Sequence, residues 1–400
     1  MAVDRRRRFT LPGIQDLNKD QDEALALPTE GRHLIIGGPG TGKSVVTLLR
    51  ARRLKEQSKM YGTLVYNRLL HHSNRHLFGS GQSFAAMTWE QWFRRHFKKR
   101  LSMDIPTLEP EAPGGYSPID WEAVRLQTQH LDNVESQHDK FLVIDEGQDM
   151  PPAFYQALIQ LGFKNFYVAA DQNQQIHPDK CSSRQDLENC LAIEPDEVLE
   201  LKINYRNTRP IAQLARHFYP DDPASPRPDL PVAKQTAMTP ELWTYGGKNL
   251  PALEDIAGRI LRLGDRDPRK LIGIITPNNN SREKFIRALN VVSSGVENSG
   301  LDNGKPPIQT YFSGCRNQLD FSQGGLMVIN AQSCKGLEFD IAILADIDQH
   351  KPENDPFMLK VRFYVMVSRA REQVIMLRTA HVCPVVDELL PDNPAILVRK

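Results

Sequence analysis

The sequence predicts an α/β protein made of two parallel-sheet lobes with a cleft between them. Three observations carry this. Apolar strand-like runs alternate with helical stretches in a first set: LII (34–36), TLVY (63–66), FLVI (141–144) and FYVAA (166–170). A second set follows: LIGII (271–275), LMVI (326–329), IAIL (341–344) and VIML (374–377). Continuous apolar runs of this length, spaced by helices, are the mark of strands buried on both faces of a parallel sheet. Between the sets, prolines at 220, 223, 226, 228, 231 and 240 break any regular structure. They predict an extended surface excursion over 219–240, near the start of the second lobe.

The first strand leads into HLIIGGPGTGKSVV (33–46), which fits G-x-x-x-x-G-K-[ST]. Leu34 to Ile36 read as a buried strand. The stretch after Lys43 reads as a helix, with Val45, Leu48, Leu49 and Arg52 along one side. Strand, glycine loop and helix in that order are the context a phosphate-binding loop needs. Gly37, Gly40 and Gly42 let backbone N–H groups turn inward as an anion nest. The helix N-terminus adds partial positive charge. Lys43 is placed to reach the β- and γ-phosphates of a nucleoside triphosphate, and Ser44 to hold Mg²⁺.

FLVIDEGQD (141–149) ends a second buried strand in two carboxylates. Ligands of open parallel sheets bind beyond the carboxyl ends of the strands. Asp145 is therefore expected in the Mg²⁺ shell, and Glu146 is expected to orient or deprotonate an attacking water.

Bulk properties narrow the classes. The chain has 400 residues, enough for two or three domains, and 40% hydrophobic residues, enough for ordinary cores. A net charge of +1 excludes a globally basic nucleic-acid coat, so any such site is a local groove. The five cysteines (181, 190, 315, 334, 383) are scattered and form no CxxC pair. That points to the reducing cytoplasm and away from structural zinc. No apolar run is long enough to span a bilayer, and no apolar signal core follows MAVDRRRRFT. Arg5 to Arg8 read as a solvated, partly disordered terminus, with phosphate contact as the alternative. His72 and His76 read as a polar helix face, not a metal site.

Thr88 and Gln91 form a capping-box pattern. Trp89, Trp92, Phe93, His96 and Phe97 then share one helical face and are expected in the core. Arg94, Arg95, Lys98, Lys99 and Arg100 cover the other faces, as a solvated surface or as a patch tracking phosphates.

The order of motifs resembles that of the UvrD/Rep/PcrA-like superfamily 1A helicases, over roughly residues 9 to 380. LNKDQDEAL (17–25) is similar to their Q motif, and the resemblance implies that Gln21 reads the adenine edge. LVYNRLL (64–70) and FAAMTWEQWF (84–93) resemble motifs Ia and Ib, which border the single-strand groove. That implies nucleic-acid contacts for Asn67, Arg68, Thr88 and Trp89. VIDEGQD is motif II. AADQNQQIH (169–177) resembles motif III, with Gln174 as γ-phosphate sensor and His177 beside the bases. LKINYRNT (201–208) resembles motif IV, with Tyr205 stacking on adenine and Arg206 reaching the γ-phosphate. LIGIITPNNNSREKFIRAL (271–289) resembles the first strand and helix of the second lobe. VINAQSCKGLEFDIAIL (328–344) resembles motif V, placing Lys335 and Gly336 at the cleft and Glu338 at the ribose. RFYVMVSRAR (362–371) resembles motif VI, with Arg369 as arginine finger.

The resemblance implies two RecA-like lobes: 1–205, with a reduced insertion around 94–139, and 206–400. It implies an ATPase that uses ATP and Mg²⁺ and moves on single-stranded DNA, 3′ to 5′, with the choice between DNA and RNA left open. The chain departs from the pattern in places. Ala170 stands for the usual glycine, His177 for the usual tyrosine, and Gln332 for the usual histidine. A reduced first accessory insertion fits between Trp89 and Val143, but the large second one does not fit between Arg282 and Val328. ATP hydrolysis is thus the firmer expectation, and autonomous strand separation the weaker. The alternative is an ATP-controlled switch or adaptor that regulates a partner nuclease in a repair or anti-phage assembly.

Overall fold

The computed structural model describes residues 3–7, 16–65, 86–110, 116–129, 131, 137–174, 181–221, 227–233, 237–295, 301–311, 319–351 and 356–400. The strands fall into two all-parallel sheets. The first holds β1 (Arg32–Gly37), β2 (Met60–Val65), β3 (Ala86–Thr88), β4 (Gln137–Ile144), β5 (Phe163–Ala170) and β6 (Leu199–Leu201), in the order β3-β2-β4-β5-β1-β6. The second holds β7 (Glu241–Tyr245), β8 (Leu271–Thr276), β9 (Ile308–Thr310), β10 (Gly325–Asn330), β11 (Phe339–Leu344), β12 (Ala370–Thr379) and β13 (Val398–Arg399), in the order β13-β7-β12-β11-β8-β10-β9. This is the architecture of two RecA-like lobes.

Side-chain alternation assigns each sheet face to its helices. In β1, Leu34 and Ile36 enter one core with Phe93, Phe97, Phe154 and Leu187. Those come from α3 (Trp89–Leu101), α5 (Pro152–Gln160) and α6 (Arg184–Leu191), while α4 (Trp121–Gln129) adds Val124. Ile35, between them, turns to the opposite face with Ala24, Val46 and Leu54, from α1 (Lys19–Ala26) and α2 (Lys43–Glu56). The second sheet is covered in the same way. One face packs α7 (Arg209–His217), α10 (Pro356–Val367) and α11 (Pro384–Leu389). The other packs α8 (Leu253–Arg266) and α9 (Asn279–Gly295). A fully buried Leu or Ile is worth about 1.5–3 kcal/mol, so each sheet is anchored by its central strands. Among the described residues, no helix is long and apolar enough to cross a membrane.

Three expectations need correction. Residues 3–7 are not a free tail, although Val3, Asp4 and Arg6 are exposed. Arg6 forms an antiparallel bridge with Gln323 and Arg7 pairs with Asp340, so residues 3–7 lie against the second sheet's lobe. The proline excursion is not wholly on the surface. Ile203 bridges Asp229, and Pro228 comes so near Gly38 that an added Cβ would lie 2.1 Å from its Cγ. Thr88 does occupy the N-cap of α3, but its side chain makes no capping hydrogen bond. The stretch 94–139 holds the rest of α3, a bridge between Thr107 and Ile119, and α4. His72 and His76 lie outside the described residues.

His350 is 2% exposed, rests on Phe363 and has no hydrogen-bond partner on either ring nitrogen. Burial, helped by Arg362, pushes its pKa down to about 3. The unfolded chain binds that proton near pH 6.5 and the folded chain does not. Stability is therefore lost as pH falls below 6.5, by about 1.4 kcal/mol per pH unit. His350→Phe should gain about 2 kcal/mol relative to wild type between pH 7 and pH 5, read by urea unfolding at both values. An unchanged difference would show that this ring does not set the acid limit.

Candidate active site

The glycine loop leaves β1 at Gly37 and enters α2 through Gly42. Gly40 and Gly42 have φ of +80° and +95°, a region that side chains disfavour. Space forbids a side chain as well. A Cβ would lie 2.3 Å from Asn204 Oδ1 at Gly40 and 2.2 Å from Gln21 Nε2 at Gly42. Gln21 is oriented by a capping box with Asn18, at 2.8 and 3.2 Å, and its Nε2 donates to the Thr41 carbonyl at 2.9 Å. Gln21 thus sits on the loop itself. Lys43 is buried and donates to the carbonyls of Gly37 and Gly38, at 2.7 and 3.1 Å. It also faces Asp171 Oδ2 at 3.5 Å.

Asp145 and Glu146 emerge from the carboxyl end of β4. Asp145 is buried, and its Oδ2 has no hydrogen-bond partner. Burial and the neighbouring Glu146 raise its pKa to about 6, against the pull of Ser44 and Lys43. An orphaned carboxylate oxygen near Ser44 suits a divalent cation bound by oxygen ligands. Glu146 stands in the left-handed region at φ +55°, which costs about 1 kcal/mol. Burial favours its neutral form, but Lys43, Lys335, the Gln148 hydrogen bond and Arg369 outweigh that. Its pKa ends below the usual value, so it is ionised at neutral pH. Gln148 fixes the carboxylate: its Nε2 donates to Glu146 at 2.7 Å, and its Oε1 accepts the Asp171 N–H at 2.9 Å.

Gln174 is where the lobes meet. Its Nε2 donates to Asp171 at 2.5 Å. From the second lobe, Arg369 donates to its Oε1 at 2.8 Å, and Lys335 to its main-chain carbonyl at 2.5 Å. Lys335 also pairs with Asp149 Oδ1 at 2.5 Å, with both side chains almost fully buried. Contacts therefore run unbroken from Lys43 through Asp171 and Gln174 to Arg369.

The crossing between the lobes is hydrogen-bonded to the glycine loop and to the second lobe. Asn204 Oδ1 accepts the N–H groups of Arg206 and Asn207, at 3.1 and 3.2 Å. The Asn207 amide donates to the carbonyls of Ser368 and Ala370, at 3.3 and 2.5 Å. The Tyr205 N–H donates to the Gly40 carbonyl at 2.9 Å, while its ring is exposed. Arg206 pairs with Glu338 at 2.5 Å. Gly336 turns at φ +76° between Lys335 and Glu338.

The fold thus gathers Gln21, the loop glycines, Lys43, Ser44, Asp145, Glu146, Gln174, Tyr205, Arg206, Gly336, Glu338 and Arg369 around one cleft. Gln148, Asp149, Asp171, Asn204 and Asn207 belong to the same cleft and were not singled out from sequence. Of the residues expected at nucleic acid, Asn67, Arg68 and His177 lie outside the described residues. Trp89 stacks on Trp121 at 6.2 Å and meets Phe154 edge-on at 5.0 Å. The residue is half-buried and packs against the first lobe's core.

No protein-family profile matches the sequence, and no curated protein does either. Among solved structures, the fold is similar to the C-terminal domain of a possible DNA helicase from Lactobacillus plantarum WCFS1. That alignment has 19% identity and a TM-score of 0.33, and covers 49% of this chain and 98% of that domain.

Removing one partner of a buried ion pair leaves the other charge stranded, at about 3–5 kcal/mol. Lys335→Ala should lose stability on that scale, and Asp149→Ala added to it should recover part of the loss. Additive losses in urea unfolding would show that the pair is not coupled.

Proposed function

We propose that this chain is an ATP-hydrolysing motor of the superfamily 1A helicase kind, a translocase on single-stranded DNA running 3′ to 5′. One observation carries the proposal: Gln174, beside Lys43 and Asp171, is grasped from the opposite lobe by Arg369 and Lys335. A site built from both lobes lets the bonding state of a nucleotide set their separation.

The loop glycines and Lys43 are suited to the phosphates of ATP, with Gln21 and the exposed ring of Tyr205 at the adenine and Glu338 at the ribose. Ser44 and the free Asp145 oxygen suit Mg²⁺, which when bound would offset charge on the β- and γ-phosphates. Glu146, kept ionised, can accept a proton from water. Arg369 and Arg206 supply positive charge where negative charge gathers in the transition state, an effect worth about 10³–10⁵ in rate. Both guanidiniums now rest on protein partners, Gln174 and Glu338. Exchange of those partners for phosphate oxygens is the step that would move one lobe against the other.

Lys43→Ala, Glu146→Gln and Arg369→Ala should each lower ATP turnover by about 10³ or more. Near-normal hydrolysis in all three would remove the site. Single-stranded DNA should raise the wild-type rate, less so as salt increases. An ATPase indifferent to DNA, with translocation absent, would favour the nucleotide-controlled adaptor over the motor.

A further inference from the structure

Different segments back the phosphate loop at different glycines. Gln21 of α1 fills the space at Gly42, and Asn204 of the crossing fills it at Gly40. At Gly38 the neighbour is Pro228, which follows α7 in the chain. A Cβ added to Gly38 would collide with Pro228 Cγ and lie 2.9 Å from its Cδ, but 3.5 Å from its Cβ. The Gly38 backbone lies outside the left-handed region, so space and not conformation keeps a side chain out.

Pro228 is held from the crossing and from the second lobe. The Asp229 N–H donates to the Lys202 carbonyl at 2.7 Å, and Asp229 bridges Ile203, which fastens 227–231 to the crossing. From α7, Arg209 donates to the Pro231 carbonyl at 3.2 Å and Arg216 to the Pro228 carbonyl at 3.4 Å. That helix buries Ile211, Leu214 and Ala215 in the second lobe's core, so it moves with that lobe. Arg227 covers the Tyr219 ring at 5.3 Å, and the Tyr219 hydroxyl accepts the Asn173 amide at 2.9 Å, next to Gln174. Prolines at 228 and 231 restrict the backbone of the segment. A stiff segment clamped between α7 and the loop passes on a displacement that a flexible one would absorb.

We infer that residues 227–231 are a strap through which the second lobe bears on the phosphate loop, and that Pro228 is a positioning residue for the loop through Gly38. When α7 shifts with its lobe, the strap carries part of the shift to Gly38. The loop then meets the second lobe in two ways, through the contact of Gln174 with Arg369 and through the strap. The effect on nucleotide rests on the loop being the nucleotide site. The contact between Pro228 and Gly38 does not.

The test is a double-mutant cycle in the full chain: Gly38→Ala, Pro228→Ala and the pair, with Arg209→Ala and Arg209→Lys beside them. Two quantities are measured: the Kd of a non-hydrolysable ATP analogue with Mg²⁺, by calorimetry, and the urea unfolding midpoint. Gly38→Ala should weaken binding about tenfold or more, because the added methyl must displace the loop or the strap. Pro228→Ala removes Cγ and Cδ and keeps Cβ at ordinary contact distance from that methyl. Alone it should weaken binding about threefold, and the pair should bind about as well as Pro228→Ala does. Arg209→Ala should weaken binding about fivefold, the size of one hydrogen bond, and Arg209→Lys should recover most of it. Losses in Kd that multiply in the pair overturn the positioning role, even where unfolding shows the two residues coupled. Unchanged binding in Arg209→Ala overturns transmission from the second lobe. A wild-type chain that binds no analogue sinks the nucleotide reading instead, and the unfolding cycle still decides whether Pro228 packs on Gly38.

Discussion

Gln174 takes an arginine at its side chain and a lysine at its main-chain carbonyl, both from the opposite lobe. This contact is the constraint on which the rest of the cleft depends. Gln174 is fastened to Asp171, Asp171 faces Lys43, and Lys43 is fastened to the glycine loop. The two sheets could each fold around their own cores. This row of polar groups, buried where water cannot compete, helps to make them one site. The same burial makes the row demanding. Asp145 and Asp149 each have a buried oxygen without a partner, and Glu146 is held in a strained backbone region. Polar groups left short of partners in a protein interior are where a ligand has most to offer.

The charge balance follows the same logic. Lys43, Lys335, Arg206 and Arg369 converge with Asp145, Glu146, Asp149, Asp171 and Glu338. Each cation is parked on a protein acceptor: carbonyls for Lys43, Asp149 for Lys335, Glu338 for Arg206 and Gln174 for Arg369. None is locked by an ideal bidentate pair with a single buried carboxylate. The parked state is therefore one from which cations can be drawn by an anion of higher charge, at the cost of the contacts they leave.

Much of this was legible in the sequence, and the reason is local. Central strands of parallel sheets are buried on both faces, so 34–36, 141–144, 166–170, 271–275, 326–329, 341–344 and 374–377 stand out as apolar runs. The loop and the carboxylates are read from the chain because they sit at strand ends. What was missed is either at an edge or non-local. The strands β3, β6, β9 and β13 are two or three residues long and sit at or near sheet edges, where packing asks little of the sequence. Asp149, Asn207 and Gln148 reach partners distant in the chain, Lys335, the Ser368 and Ala370 carbonyls and Asp171, while Asn204 bonds its near neighbours Arg206 and Asn207, and a lone polar residue carries no periodicity. The run Arg5–Arg8 illustrates the converse. Its charge suggested solvent, yet the Arg7 side chain is covered where it pairs with Asp340, more than three hundred positions away.

The central claim is that one cleft, built from both lobes, grips the terminal phosphate of a nucleotide from two sides. The most direct measurement is a crystal structure with a non-hydrolysable ATP analogue and Mg²⁺. The account predicts the γ-phosphate within hydrogen-bond reach of both Lys43 and Arg369, with Arg369 released from Gln174 or sharing it. A nucleotide seated on the first lobe alone, with Arg369 left far from every phosphate oxygen, would contradict it.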